Sequence, residues 1–282
     1  MTQTPIITRS PEDIRSEVIK VHARGECVAL VPTMGALHEG HLSLTDFART
    51  KADRVFASIF VNPTQFGEGE DFDDYPRTWE SDIEALASKG VEAIYAPTTS
   101  TMYPEGFATS ITLEGPALEL ETTYRPHFFG GVAIVVAKLL LGVLPDVAVF
   151  GEKDYQQLLV IKQMVSDLHI PCQIEGAAIL REDDGLAMSS RNVYLSEKER
   201  PIAAQLHKSL QACAQKIREG QAPNEALTQA INALTDHGFT VDYVELRNAD
   251  TLKKVRDIKS EPLRLLAAAK LGKPRLIDNI AV

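Results

Sequence analysis

Over its first two-thirds the chain alternates short apolar runs with amphipathic stretches of helical period. Residues 27–31, 55–61, 93–96, 110–113, 147–150 and 173–180 are runs of strand length, most with little polar alternation. That pattern predicts strands buried on both faces. Between them, residues 11–23, 41–51, 78–89, 132–143 and 155–168 repeat apolar positions every three or four residues and predict helices. Strand–helix alternation of this kind predicts an α/β fold, a Rossmann-like parallel sheet with helices on both faces. Ligands in such sheets bind beyond the carboxyl ends of the strands.

The rhythm changes after the polar segment 181–192. Ile202, Leu206, Leu210, Cys213 and Ile217 mark one amphipathic helix ending near Gly220, with Ser196 and Glu199 as a capping box before it. A second helix is expected over about 224–235, stopping at Gly238, and strands over 241–246 and 263–268. The expected organisation is therefore a Rossmann-like domain over 1–180 and a smaller α+β C-terminal domain over 181–282.

Composition narrows the class. The longest apolar run, 132–144, is broken by Lys138 and falls short of the roughly 20 residues that cross a bilayer. The N-terminus lacks the basic start and apolar segment of a secretory signal, so a soluble cytoplasmic protein with no membrane partner is expected. A net charge of −10 argues against a nucleic-acid partner. Cys27, Cys172 and Cys213 are scattered, none in a C-x-x-C pair, and read as buried small hydrophobes.

The candidate chemistry begins at residues 28–44, VALVPTMGALHEGHLSL. An apolar strand ends at Pro32, a turn passes through Gly35, and His38, Glu39, Gly40 and His41 open a helix. Glycine allows close backbone approach, and a helix N-terminus stabilises an anion, most often phosphate. The Walker A spacing is present, but His41–Leu42 stands where Lys–Ser/Thr is required, and the dinucleotide fingerprint is absent. The two histidines are also too close for the zinc pattern H-E-x-x-H. What remains is H-x-G-H, to be weighed against a capped helix with two surface histidines. Further along, 185–192 reads GLAMSSRN, a compact set of pyrophosphate donors, and 151–154 reads GEKD after a strand. The acidic string 71–74 reads as a solvated loop rather than a metal site.

The H-x-G-H segment resembles the HIGH motif of the nucleotidyltransferase superfamily, and GLAMSSRN resembles its KMSKS loop. More specifically, VPTMGALHEGH, FVNPTQFG, YPRT, MYPEGF, FGEKDYQQL, GLAMSSRNVYL and RLIDNI resemble segments of the pantothenate synthetase family, from about residue 28 to 280. The resemblance implies ATP binding by Met34, Gly35, Ala36, Leu37, His38, Glu39, Gly40 and His41, with His41 as proton donor and His38 beside it on the phosphates. It assigns Gly151, Glu152, Lys153 and Asp154 to ATP as well, with Lys153 bridging phosphates. Leu180, through its backbone, and Met188, Ser189, Ser190 and Arg191 complete that set. Gln65 and Gln157 are implied to bind pantoate, Gln65 also lying near the β-alanine position, with Asn62 near the phosphates and Arg125 orienting a substrate or the dimer contact. The family implies magnesium with ATP, the substrates pantoate and β-alanine, and a cytoplasmic homodimer.

The implied reaction is ligation through a pantoyl-adenylate, releasing pyrophosphate and then AMP. A nucleotidyltransferase acting on another small substrate is the alternative. The acidic balance and the lack of an anticodon-binding extension count against a tRNA-charging enzyme. One stretch departs from the family. Its usual Arg-Pro-Gly-His-Phe reads Arg125-Pro126-His127-Phe128-Phe129 here, so the histidine stands one position early.

Overall fold

The structure is a computed structural model and describes residues 4–67, 69–70 and 72–282. In chain order its elements are β1 (Ile6–Thr8), α1 (Pro11–His22), β2 (Val28–Thr33), α2 (Glu39–Ala48), β3 (Arg54–Ile59), α3 (Trp79–Ser88), β4 (Ala93–Tyr95), α4 (Thr99–Met102), α5 (Glu121–Tyr124), α6 (Phe128–Val143), β5 (Val147–Gly151), α7 (Tyr155–Asp167), β6 (Gln173–Ala177), α8 (Glu199–Ala203), α9 (Gln205–Arg218), α10 (Pro223–Asp236), β7 (Thr240–Asn248), β8 (Leu263–Lys270) and β9 (Arg275–Ala281). The chain divides into two compact units, 1–152 with 160–178, and 153–159 with 179–282.

The first unit is built on a six-stranded sheet in the order β1-β4-β3-β2-β5-β6, with every pairing parallel. On one face Ala29, Val31, Val55, Ala57, Ile94, Val147 and Val149 pack with Leu42, Leu44 and Ala48 of α2 and Leu86 of α3. The alternate residues Val28, Leu30, Phe56 and Ala148 are buried as well, as period-two strands covered on both faces require. Helices α1 and α6 pack on each other, and α1 also meets β2 and β4. Helix α6 is apolar nearly all round, with Leu139, Leu140 and Val143 buried. The chain leaves β2 towards β3 and later returns on its other side as β5. This places the topological switch, and its crevice, at the carboxyl ends of β2 and β5.

The second unit holds an antiparallel sheet in the order β7-β8-β9. Its core joins Leu206, Leu210, Cys213 and Ile217 of α9 to Ala226, Ala230 and Leu234 of α10 and to Leu265, Ala267 and Leu276 of the sheet. Buried among these strands is Asp278, whose carboxylate takes two bonds from Arg181, at 2.8 and 2.9 Å. His207 Nδ1 lies 3.2 Å away, near enough for charge contact but misaligned for a hydrogen bond. Burial opposes ionisation of Asp278, yet the His207 and Arg181 contacts outweigh it and hold its carboxyl below the ordinary range.

The fold agrees with the α/β expectation and differs from it locally. Residues 110–113 form no strand. They carry no regular structure, with Ser110 and Thr112 exposed, and the Ile111 carbonyl lies against Gly130 of α6. The predicted helix after residue 199 is split at Ala204 into α8 and α9. Strands β1 and β9 were not anticipated. Of the cysteines, Cys213 is buried, whereas Cys27 and Cys172 are only half-buried, and all three are free thiols. No described helix is long and apolar enough to cross a membrane.

Asp278→Asn is expected to cost about 3 kcal/mol of stability at pH 7, because it leaves the Arg181 guanidinium without its counter-charge. A carboxyl held low when folded contributes stability in full above its unfolded value of roughly 3.9 and loses it as pH falls through the folded value. Urea unfolding should therefore show the gap between wild type and variant narrowing as pH is lowered through the carboxylate range.

Candidate active site

The turn after β2 is shaped by a buried carboxylate. Asp82, on α3 and 3 % exposed, accepts from the backbone N–H of Ala36 at 3.0 Å and of Leu37 at 2.9 Å. The Thr78 hydroxyl donates to it at 3.0 Å. Gly35 and Ala36 both adopt positive φ, 81° and 51°. A side chain on Gly35 would place its Cβ 2.9 Å from Asp82 Oδ2, so only glycine fits beneath the carboxylate. Thr33 Oγ1 accepts from Gly35 N–H and donates to the Ser58 carbonyl, tying the same turn to β3.

This turn delivers the two imidazoles to the start of α2. His38 is the N-cap, in extended conformation, and its Nδ1 accepts from Gly40 N–H at 3.1 Å. That bond requires an unprotonated Nδ1 and places the ring proton on Nε2. The His41 ring lies 4.1 Å from the His38 ring, centroid to centroid, and both residues are half-buried. Two imidazoles and the positive end of the helix dipole converge here, a combination suited to anions, while the N–H groups of Gly40 and His41 are taken by His38 itself. Gly151, at the end of β5, packs against Leu44 of α2, and Glu152 follows it.

A second cluster follows β3. Asn62 is 1 % exposed, and its amide is engaged within the protein. Nδ2 donates to Gln65 Oε1 at 3.2 Å and to the Gly131 carbonyl at 3.1 Å. Oδ1 accepts from Thr64 N–H, the Thr64 hydroxyl and the Tyr103 hydroxyl, the last at 2.7 Å. The structure thus gives Asn62 the task of holding the turn at Pro63–Gln65. Gln65 Nε2 in turn lies 3.0 Å from Met34 Sδ, linking this turn to the first loop. Gly131 allows the approach, since a Cβ there would meet the Thr64 carbonyl.

Arg125 is likewise committed. It binds Glu70 through Nε at 2.7 Å and a terminal nitrogen at 2.6 Å, donates to the Gln65 carbonyl at 3.1 Å, and covers the Phe128 ring. Burial opposes ionisation of Glu70, but Arg125 outweighs it and keeps the carboxyl low. The displaced histidine also has a place. His127 packs against Gly67, where any side chain would collide with its ring. Asp73 and Asp74 are exposed, and Asp71 lies outside the described residues.

The second unit carries the other expected positions. Lys153 and Asp154 sit in a 3-10 turn just before α7, with Lys153 Nζ 3.9 Å from Asp154 Oδ2. Gln157, one turn along α7, is half-buried. The Leu180 carbonyl accepts from Met188 N–H at 3.1 Å, closing a loop whose base is an Arg181–Ala187 bridge. Ser189 caps the 3-10 turn Ser190–Tyr194 by accepting from Arg191 N–H. Asn192 donates to the Ala187 carbonyl and steadies the loop. The sequence reading missed Asp82 and Tyr103. Each acts through contacts distant in sequence, and a lone Asp on a helix signals nothing locally.

A parallel sheet whose central strand leads into a helix capped by the first histidine of H-x-G-H is the architecture of an α/β nucleotide-binding class. Comparison with known proteins gives the particular family. The family model described as pantoate-beta-alanine ligase matches residues 6–281. Pantothenate synthetases of Bradyrhizobium sp. (strain BTAi1) and Rhodopseudomonas palustris (strain HaA2) are 53 % and 50 % identical, each over the full length of both chains. The crystal structure of pantothenate synthetase from Thermus thermophilus is 44 % identical, with a TM-score of 0.91 over 98 % of each chain. Pantoate-beta-alanine ligase from Francisella tularensis, complexed with beta-gamma ATP and beta-alanine, is 34 % identical. It gives a TM-score of 0.83 over 98 % of this chain and 97 % of that one. The chain belongs to the pantoate–β-alanine ligase family: it is an ATP-dependent ligase that forms pantothenate.

Asp82→Asn keeps the volume but turns an amide NH2 towards a backbone N–H, orphaning one buried donor at about 1–3 kcal/mol. The expected result is a KM for ATP raised about tenfold, as ~1.4 kcal/mol of lost binding implies, with a smaller change in the KM for β-alanine. Steady-state kinetics with each substrate varied in turn checks this.

Proposed function

We propose that the ligation runs through a pantoyl-adenylate. The pantoate carboxylate attacks the α-phosphorus of ATP and pyrophosphate leaves. The β-alanine amine then attacks the mixed anhydride, forming the amide and releasing AMP. The observation that carries this reading is the pair of imidazoles at the N-terminus of α2, with His38 holding its ring proton on Nε2. Negative charge that grows on the phosphates as pyrophosphate departs is what such preorganised donors stabilise. His41 acts as the proton donor to the phosphates and His38 as its companion.

ATP is assigned to Met34–His41, Gly151–Asp154, the Leu180 backbone and Met188–Arg191, with Lys153 bridging phosphates as a compact ammonium. The ATP and β-alanine of the Francisella complex support this choice of ligands. Gln65 and Gln157 offer pantoate both donors and acceptors for its carboxylate and hydroxyls. Asn62 and Arg125 serve that site from behind, by fixing Gln65 through its side chain and its carbonyl. The protein supplies position and charge, not a covalent nucleophile.

Magnesium enters with ATP. Among the described residues no three His, Cys, Asp or Glu side chains gather into a metal-holding group. An ion that comes with ATP is held largely by phosphates and water, and the protein's residues are assigned to the phosphates. The ion neutralises phosphate charge when bound. The first unit is read as carrying most of the ATP contacts and Gln65, and the second as the carrier of Lys153, Gln157 and the serine–arginine loop. A cytoplasmic homodimer, free of nucleic acid and membrane, completes the proposal.

The test is exchange of labelled pyrophosphate into ATP with magnesium and pantoate but no β-alanine. Pantoate-dependent exchange is expected, and its absence in a protein that still makes pantothenate removes the adenylate. His41→Ala and Lys153→Ala should each slow exchange about 10²–10³-fold while shifting Tm little. Near-normal exchange in either variant would clear that residue from the mechanism.

A further inference from the structure

Strand β9 carries two buried polar residues in succession, Asp278 and Asn279. Neighbours on a strand point to opposite faces, and the two side chains have different partners. Asp278 holds Arg181, as described above. Asn279 reaches the turn that presents Lys153, where its Nδ2 donates to the Lys153 carbonyl at 3.0 Å, across 126 residues of sequence. Its Oδ1 accepts from Arg264 Nε at 2.7 Å. Arg264 can only donate, so this bond fixes which end of the amide faces Lys153.

Arg264 does more at the same place. Its guanidinium lies over the Tyr155 ring, 3.9 Å from the centroid, and the Tyr155 hydroxyl donates to the Ala249 carbonyl at 3.1 Å. The start of α7 is therefore held at the Lys153 backbone, at the Tyr155 ring and at the Tyr155 hydroxyl. Among the described residues, the Lys153 ammonium itself has only the 3.9 Å contact with Asp154. Four methylenes leave a lysine head mobile, so where that charge can act depends on where its backbone is anchored.

We infer that Asn279 is a positioning residue for Lys153, a role that rests on the reading of Lys153 as a ligand of the ATP phosphates. The amide of Asn279, oriented by Arg264, sets the height of the Lys153 turn. Small displacements of a charged group at a reacting centre cost rate steeply, about 10²-fold for 1 Å.

A double-mutant cycle tests this, because residues that act through one another are not additive. The measurement is single-turnover formation of pantoyl-adenylate from ATP, magnesium and pantoate, with Tm recorded for each protein. Asn279→Ala is expected to slow the step roughly tenfold, with little change in the KM for ATP. In a Lys153→Ala background the same substitution should cost less than about twofold. Arg264→Lys frees the amide while leaving Asn279 in place. It should give a smaller loss, about threefold, that also disappears without Lys153. If Asn279→Ala does not fold, the Arg264→Lys cycle decides alone. Equal losses with and without Lys153, or an unslowed folded Asn279→Ala, would overturn the role while leaving a slow Lys153→Ala, and hence the ATP assignment, intact. A Lys153→Ala protein with undiminished rate would overturn both.

Discussion

A buried negative charge beneath the first loop is the constraint on which the site depends. Asp82 is enclosed, and its oxygens are satisfied by two consecutive backbone N–H groups and a hydroxyl. A carboxylate in such surroundings is stable only while all these donors stay in place. The turn is correspondingly fixed: positive φ at Gly35 and Ala36 follows from pointing both amides down at the carboxylate. Beyond that turn the same segment brings the His38 and His41 rings together at the start of α2. The charge that orders the loop thus also fixes the backbone from which the two imidazoles are presented.

The same device recurs with neutral and charged groups elsewhere. Asn62 gathers Thr64, Gln65, Tyr103 and Gly131 around one amide, and Arg125 with Glu70 fixes the next residues of the chain. In the second unit Asp278 and Asn279 hold the base of the serine–arginine loop and the Lys153 turn. In each case a loop is anchored by a polar side chain from a remote element. Apolar packing sets the strands and helices, but it is not directional. Hydrogen bonds to backbone groups supply the direction these loops need.

This division explains what was legible in the sequence. Strands β2, β3 and β5 stand out because burial on both faces leaves unbroken runs of apolar residues, and H-x-G-H stands out because its residues are adjacent. Strand β1 has three residues, two of them exposed, too short for a pattern to emerge. Strand β9 is interrupted by Asp278 and Asn279, which are buried and polar, so its alternation is lost. Residues 110–113 show the reverse error, a strand-like composition that found no partner. The bonds that Asn62 and Arg125 make to Gln65, Gly131 and Glu70 were not legible, because a side chain's partner is a tertiary fact. His127 fills space against Gly67, a contact that no residue spacing predicts.

The claim that the pantoate carboxylate attacks the α-phosphorus is tested most directly by following its oxygen. The enzyme would be given pantoate labelled with 18O in the carboxylate, with unlabelled ATP and β-alanine, and the products weighed by mass spectrometry. Attack at the α-phosphorus carries a single carboxylate oxygen into the nucleotide when the anhydride is opened by the amine, so AMP should gain one labelled atom for each pantothenate made. Unlabelled AMP, or label appearing in inorganic phosphate beside ADP, would contradict the account.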